Sequence, residues 1–241
     1  MTPSLTFLQR LHVTSPYALR EPKPLLPSCR PESASAGRGQ CDQRPTAMAS
    51  AQLRVAVVCS SNQNRSMEAH YLLSQKGFAV RSFGTGSCVR LPGPAPDKPN
   101  LYDYSTTYDA IYQDLLRKDP ELYARNGVLR MLRRNRAIKL RPEQFASCRE
   151  PFDLILTCEE RVYDQVVREL TAREQETLQL VHVVNVDIQD NYREARLGAV
   201  LLCELCQCVS LLDDMDSDLA ELLLEFEEHS GQPFLHTACF Y

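Results

Sequence analysis

The chain has 241 residues, 44% hydrophobic and 24% charged, with a net charge of −4. That composition suits one or two globular domains and argues against a general nucleic-acid binder. Tryptophan is absent and aromatics reach only 7%, so the core must be mostly aliphatic. A mean hydropathy of −0.32, with no uninterrupted apolar run of about 18 residues, argues against a membrane-spanning helix. The ten cysteines fall well below the roughly 8–10% of a disulfide scaffold and are scattered with no signal peptide, so a reducing compartment and free thiols are expected.

Seven of the fifteen prolines lie in residues 1–47: Pro3, Pro16, Pro22, Pro24, Pro27, Pro31 and Pro45. A Pro/Ser/Ala/Gly-rich stretch runs from Pro31 to Gly39. Such a segment cannot bury enough apolar surface to offset its ordering entropy, which predicts a disordered extension over 1–47. Its six Lys/Arg against three Asp/Glu have some transit-peptide character, but the prolines favour a disordered arm. Met48 stands just before the first strand signal and could begin a shorter product.

A single domain is expected over 48–241. Leu53–Val58 is a short β-branched run, read as a buried parallel strand. Met67–Lys76 has helical spacing and stops at Gly77. Phe78–Phe83 reads as a second strand, and the proline-rich Leu91–Pro99 as a loop without regular structure. Thr106–Arg136 reads as helical, Phe152–Thr157 as a third strand and Arg161–Ala172 as a helix. Val181–Val186 reads as a fourth strand, Arg193–Glu228 as one or two long helices, and Phe234–Thr237 as a short last strand. Alternation of this kind predicts the α/β class, with a mostly parallel sheet flanked by helices.

Charge is divided unevenly: residues 1–150 hold 22 Lys/Arg against 12 Asp/Glu, and residues 151–241 hold 5 against 19. Nine basic residues lie between Arg117 and Arg141, and eight acidic ones between Asp213 and Glu228. Solvated helical faces account for both runs. The functional reading is a basic flank that steers in an anionic, phosphorylated partner.

The segment Val57–Ser66 (VVCSSNQNRS) carries the chemistry. Amides of a loop entering a helix converge on one point and bind a tetrahedral anion. A thiolate at Cys59, at the bottom of that cradle, is stabilised by the same donors and can attack phosphorus. Arg65 offers a planar fork to two phosphate oxygens. Ser66 can stabilise the thiolate as leaving group, and Asn62 tolerates the left-handed turn that a tight cradle needs. Were Cys59 only a buried structural thiol, its loop would be apolar, yet Ser60, Ser61, Asn62, Gln63 and Asn64 are all polar. Such an enzyme also needs an acid for the departing alkoxide, at the carboxyl end of another strand. Asp187 and Asp190 both follow Val181–Val186, and either could serve. A helix cap is the structural alternative, expected of at least one of them for the helix that follows.

VVCSSNQNRSMEAH (Val57–His70), FGTG with LPGPAPDKPN, DLILTCEERVYDQVV (Asp153–Val167), VHVVNVDIQDN (Val181–Asn191), CELCQC (Cys203–Cys208) and the closing FLHTACFY together resemble the Ssu-seventy-two family. Its members are RNA polymerase II C-terminal-domain phosphatases. The likeness spans about residues 48–241. The resemblance implies a fold similar to low-molecular-weight tyrosine phosphatases and a cysteine-dependent, metal-independent Ser/Thr phosphatase acting through a phosphocysteine, with no cofactor. It implies removal of phosphate from Ser-Pro sites of the heptad repeats, taken in the cis form. It also implies the partner symplekin, and work in the nucleus in messenger-RNA 3′-end processing and transcription termination. By motif match Cys59 is the nucleophile, Arg65 binds phosphate and Asp190 is the general acid. Ser60, Ser61, Asn62, Gln63, Asn64 and Ser66 form the cradle, and Leu91 and Pro92 belong to a wall of the peptide groove.

The chain departs from the family pattern at Tyr192-Arg193, Arg130 and Arg133. Arg193 is expected to set an extra cation beside the acid. That motivates an alternative: a weakly active or inactive paralogue that binds phosphopeptide or symplekin without turnover. A tyrosine phosphatase or arsenate reductase on the same fold is a further reading. Asn64 stands where low-molecular-weight phosphatases carry a second Cys, so oxidation of Cys59 is expected to proceed through a sulfenic acid. Cys203, Cys206 and Cys208 lack a partner pair at zinc spacing and are expected as buried small hydrophobes. His70, His182, His229 and His236 form no metal motif. Glu159-Glu160 reads as helix-dipole charge, and Gly84-Thr85-Gly86 lacks the context for nucleotide binding.

Overall fold

The computed structural model describes residues 52–241. The arm expected over 1–47, the start at Met48, and Cys29 and Cys41 lie outside the described residues. In chain order the elements are β1 (Arg54–Cys59), α1 (Arg65–Gln75), β2 (Ala79–Gly84), β3 (Val89–Ala95), β4 (Lys98–Tyr102), α2 (Tyr108–Lys118), α3 (Pro120–Arg125) and α4 (Val128–Ile138). They continue with β5 (Leu154–Thr157), α5 (Glu160–Ala172), β6 (Leu180–Val186), α6 (Tyr192–Val209), α7 (Met215–Ser230) and β7 (Phe234–Phe240).

Five strands form one sheet in the order β2-β1-β5-β6-β7, all neighbours parallel except β6 and β7. The expected α/β class is what the chain adopts. β1 sits inside the sheet with both faces covered, which is why Val55–Val58 is apolar without alternation. Val55 and Val57 face one core with α1, α6 and α7, while Ala56 and Val58 face a second core with α5, Phe83, Phe145 and Phe152. The chain leaves β1 towards β2 on one side and places β5 on the other. The sheet therefore has a topological switch point between β1 and β5, where α/β folds open a crevice at the carboxyl ends of their strands.

One expectation needs correction, and two are refined. The Leu91–Pro99 segment is not an irregular loop: β3 and β4 pair as an antiparallel hairpin, with Val89 opposite Tyr102 and Ala95 opposite Lys98. The register is interrupted between Leu91 and Ala95, which is where Pro92, Gly93 and Pro94 fall. A proline without an N–H is tolerated there because no ladder bond is required of it. Gly93 approaches the facing strand so closely that a Cβ would lie 1.7 Å from the Lys98 carbonyl oxygen. The helical stretch Thr106–Arg136 is three helices. It breaks at Asp119-Pro120, where Asp119 Oδ1 accepts from Leu122 N at 2.9 Å, and at Asn126-Gly127, where Gly127 has φ +81°. Both breaks are ordinary stop signals. The last strand runs to Phe240, beyond the expected Thr237, because β7 zips along the whole of β6.

The three clustered thiols Cys203, Cys206 and Cys208 lie buried in the α6 core, as small hydrophobes would. Burial pushes the Cys208 thiol up to about 11 and that of Cys206 further. The acidic run begins at the amino end of α7, where Asp214, Asp216 and Asp218 suit the helix dipole.

His70 on α1 is buried, with Nδ1 2.8 Å from Ser82 Oγ. Burial first, then Lys139 and Arg81, lowers its pKa to about 4. The folded state therefore refuses a proton that the unfolded chain binds near pH 6.5. Stability should be full above about pH 6.5 and should fall as the pH drops towards about 4, by up to about 3 kcal/mol from this group. Urea unfolding at about pH 7 and about pH 5 should show that difference shrinking in His70→Gln. An unchanged difference would remove His70 as its source.

Candidate active site

Cys59 is the last residue of β1, and the loop to α1 turns over it. Asn62 has φ +54°, the left-handed conformation expected of it. The loop carbonyls are tied from outside. Thr85 N donates to Cys59 O at 3.1 Å and Gly86 N to Ser60 O at 2.8 Å. Tyr108 Oη donates to Asn62 O at 2.7 Å, Asn135 Nδ2 to Gln63 O at 2.8 Å, and Arg134 Nη2 to Gln63 O at 2.9 Å. In a planar trans peptide the N–H points opposite to its C=O. Carbonyls held outward therefore turn the following amides inward, and among the described residues no hydrogen bond outside the regular ladders engages the amides of residues 60–64. Asn64, the N-cap of α1, makes no side-chain cap, so the helix end adds its own unpaired donors and positive dipole. Gly84 is fixed by this packing, because a Cβ there would lie 2.4 Å from Tyr104 Oη and 2.9 Å from Ser60 O.

Cys59 Sγ lies 3.0 Å from Ser66 Oγ. Asn62 Nδ2 donates to that same hydroxyl at 3.1 Å, which leaves the Ser66 proton free to point at sulfur. Arg65 is only 4% exposed. Its Nη1 is anchored, donating to Cys158 O at 3.2 Å, Glu159 Oε2 at 2.8 Å and Ile188 O at 2.9 Å. Gly198 on α6 admits the Ile188 side chain, which a Cβ would meet at 2.4 Å. The other edge of the guanidinium is little used: Nη2 makes one 3.3 Å bond to Ser60 Oγ, and buried Nε has no hydrogen-bond partner. Burial opposes the charge, but Cys59, Asp190, Cys158 and Glu159 outweigh it and raise the Arg65 pKa.

Asp190 Oδ1 accepts from Asn64 Nδ2 at 2.9 Å and stands 3.7 Å from Arg65 Nε. Asp187 points elsewhere, its Oδ1 accepting from Glu160 N at 2.9 Å and from Asn185 Nδ2 at 3.1 Å. It thus caps α5 rather than the helix that follows it. Asn191 caps that helix, accepting from Glu194 N at 2.9 Å, so the expectation that an aspartate would do so is corrected. Arg193 forms no ion pair with Asp190 among the described residues; the cation beside Asp190 is Arg65.

A cavity of about 360 Å³ opens over the sulfur, lined by Cys59, Ser60, Ser61, Gln63 and Asn64, by Leu91 and Pro92 of the hairpin, by the α3–α4 turn, and by Asp190 and Tyr192. Asn62 and Ser66 are fully buried beneath it; they support the floor and do not line it. Sequence reasoning missed Glu159, which is no mere dipole charge, since it holds Arg65. It also missed Tyr108, Arg134 and Asn135 as clamps on the loop. Arg134 is in turn held by an ion pair to Glu68. Cys158 escaped notice too: β1 and β5 pair up to Val58 and Thr157, so it follows β5 beside Cys59. Burial, with Cys59 adding, keeps its thiol well above the ordinary range.

An α/β sheet with a thiol at its switch point, loop amides turned towards the sulfur and a buried guanidinium next to that loop, outside the cavity lining, is an arrangement suited to a tetrahedral anion beside a nucleophilic thiol. Residues 53–241 match the family model described as Ssu72-like protein, and the chain belongs to that family. It is 70% identical over 194 residues to the Homo sapiens RNA polymerase II C-terminal domain phosphatase SSU72, covering 80% of this chain and 100% of the relative. Over the same coverage it is 60% identical to the human SSU72 like protein 4. A crystal structure of D. melanogaster Ssu72 with symplekin, bound to a cis peptidomimetic phosphopeptide of the polymerase C-terminal domain, matches with TM-score 0.77 at 49% identity, covering 79% of this chain and 99% of that one.

Proposed function

We propose that this chain is a cysteine-dependent protein phosphatase that removes phosphate from Ser-Pro sites of the RNA polymerase II C-terminal repeats, through a phosphocysteine. One observation carries the reading: Cys59 Sγ lies against Ser66 Oγ at 3.0 Å on the floor of a cavity whose single lining carboxylate is Asp190. The Cys59 thiolate attacks phosphorus. The inward amides and the Nε–Nη2 edge of Arg65 take the non-bridging oxygens, and Asp190 gives its proton to the leaving serine oxygen as the O–P bond breaks. Water then attacks the S–P bond, passing its proton to the Asp190 carboxylate, and Ser66 stabilises the departing thiolate. The names of the relatives support the polymerase repeats as substrate and symplekin as partner, and a substrate and partner of that kind in turn favour action in the nucleus, in 3′-end processing and termination. Leu91 and Pro92 line the cavity, which supports their assignment to the peptide wall.

Steady-state release of phosphate from heptad-repeat peptides tests this. A phosphoserine-proline peptide should be turned over, and a phosphotyrosine peptide should be at least about tenfold poorer in kcat/KM, since a tyrosine ester places its phosphorus further from the peptide backbone that the cavity walls grip. Binding of the phosphoserine peptide without phosphate release would instead identify a non-catalytic reader.

A further inference from the structure

We infer that the cavity holds a second anion subsite, built from Arg90, Arg125 and Arg130, that takes a second phosphomonoester on the same phosphopeptide. The inference rests on the phosphatase reading and adds a determinant of which substrate is preferred. The three arginines come from separate elements, β3, the end of α3 and the first turn of α4, and all three line the cavity that contains Cys59. The one carboxylate in that lining, Asp190, is engaged by Asn64 and stands against Arg65.

Position and pairing together set these three apart: Arg117 and Arg141 are also unpaired among the described residues, but neither lines the cavity. Lys118 pairs with Asp114 at 2.7 Å, Arg134 with Glu68, Arg136 with Asp109 at 2.6 Å and Lys139 with Glu143 at 2.8 Å. Among the described residues, Arg90, Arg125 and Arg130 have neither an ion pair nor a side-chain hydrogen bond. All three are exposed, so water and salt screen part of their mutual repulsion, and an anion entering the cavity they line would offset what is left. Arg130 is also held in place, its guanidinium 4.0 Å from the centre of the Tyr192 ring, so little rotamer freedom is lost on binding. The amino end of α4 adds to the same field. Its N-cap is Gly127, which has no side chain to cap it, and its first turn has no acidic residue. Arginine pairs bidentately with carboxylates and phosphates alike, but the near-double negative charge and three acceptor oxygens of a phosphomonoester match three arginines better than a carboxylate does. The steering role read from the basic stretch thus narrows to Arg125 and Arg130, joined by Arg90 from β3.

Fluorescence anisotropy on the full chain carrying Cys59→Ser reads binding without turnover. A second phosphoserine, placed at each neighbouring position of a phosphoserine-proline peptide in turn, should tighten Kd about tenfold at its best position. Glutamate there should give less than about threefold, and added salt should erode the gain. Arg125→Gln with Arg130→Gln should abolish it. In the chain with Cys59 intact, those two substitutions should leave kcat/KM for p-nitrophenyl phosphate within about twofold, because that ester reaches only the catalytic loop. No gain at any position, an equal gain from glutamate, or a gain that survives the double substitution would overturn the subsite. Failure of the otherwise unaltered chain to hydrolyse p-nitrophenyl phosphate would strike the phosphatase reading instead, and the Kd ratios would still decide the subsite.

Discussion

Cys59→Ser should lower kcat/KM for both p-nitrophenyl phosphate and a phosphoserine-proline peptide by at least about 10⁴-fold, equivalent to about 5 kcal/mol of lost transition-state stabilisation. Everything that stabilises negative charge at position 59 is arranged for a thiolate: the inward amides, the helix end, Ser66 Oγ at 3.0 Å and the neighbouring Arg65. A serine hydroxyl in that place stays protonated near neutral pH, and no group positioned beside it accepts its proton. Ser66 is itself a hydroxyl, and Asp190 is held at the rim by Asn64. Phosphopeptide affinity should stay within a few-fold, because the cradle and Arg65 are untouched. Kinetics and anisotropy on the purified variant check both halves, and appreciable turnover by the serine form would exclude Cys59 as the nucleophile.

Asp190→Asn should lower kcat on the phosphoserine peptide by about 10²–10³-fold. The serine alkoxide is a poor leaving group and must be protonated as it departs, whereas nitrophenolate needs no such help. The first turnover of p-nitrophenyl phosphate should therefore survive as a burst of nitrophenolate, followed by slow steady-state release, because the hydrolytic step still lacks its base. Asp187→Asn should show neither effect on the chemistry. It loses an acceptor at the start of α5, so its expected cost is about 1 kcal/mol of stability. If Asp190→Asn depressed the burst and the peptide reaction equally, proton delivery by Asp190 would be wrong. If Asp187→Asn gave the larger kinetic loss, the two assignments would be reversed.

Legibility in the sequence followed locality. The cradle is contiguous, Cys59 to Ser66, and its residue types suggest its chemistry directly, so the proposed nucleophile, the arginine and left-handed Asn62 could all be read. The class of fold was equally plain from strands alternating with helices. The hairpin β3–β4 was misread because three prolines between Leu91 and Asp97 suppress a strand signal, although an edge ladder with an interrupted register accepts them. The helical character of Thr106–Arg136 was legible, but its breaks at Asp119-Pro120 and Asn126-Gly127 were outweighed by the apolar periodicity around them.

By itself the sequence determined the elements, the apolar faces and the eight-residue loop that places a thiol under a helix end. Those properties depend on backbone preference and on neighbours a few residues away. Tertiary structure alone decided which distant groups complete the site. Glu159, Ile188 and Asp190 reach Arg65 or Asn64 across separations of 94, 123 and 126 residues. They meet there because the parallel sheet brings the carboxyl ends of β1, β5 and β6 to one edge. The residues alone left Asp190 and Asp187 open, and the family resemblance favoured Asp190. The packing of α5 against that edge adds a physical reason, making Asp187 a cap and leaving Asp190 in the cavity lining. The unpaired state of Arg125 and Arg130 among the described residues was decided there too, as was the meeting of both with Arg90 of β3, since a run of basic residues does not show which of them will find a carboxylate.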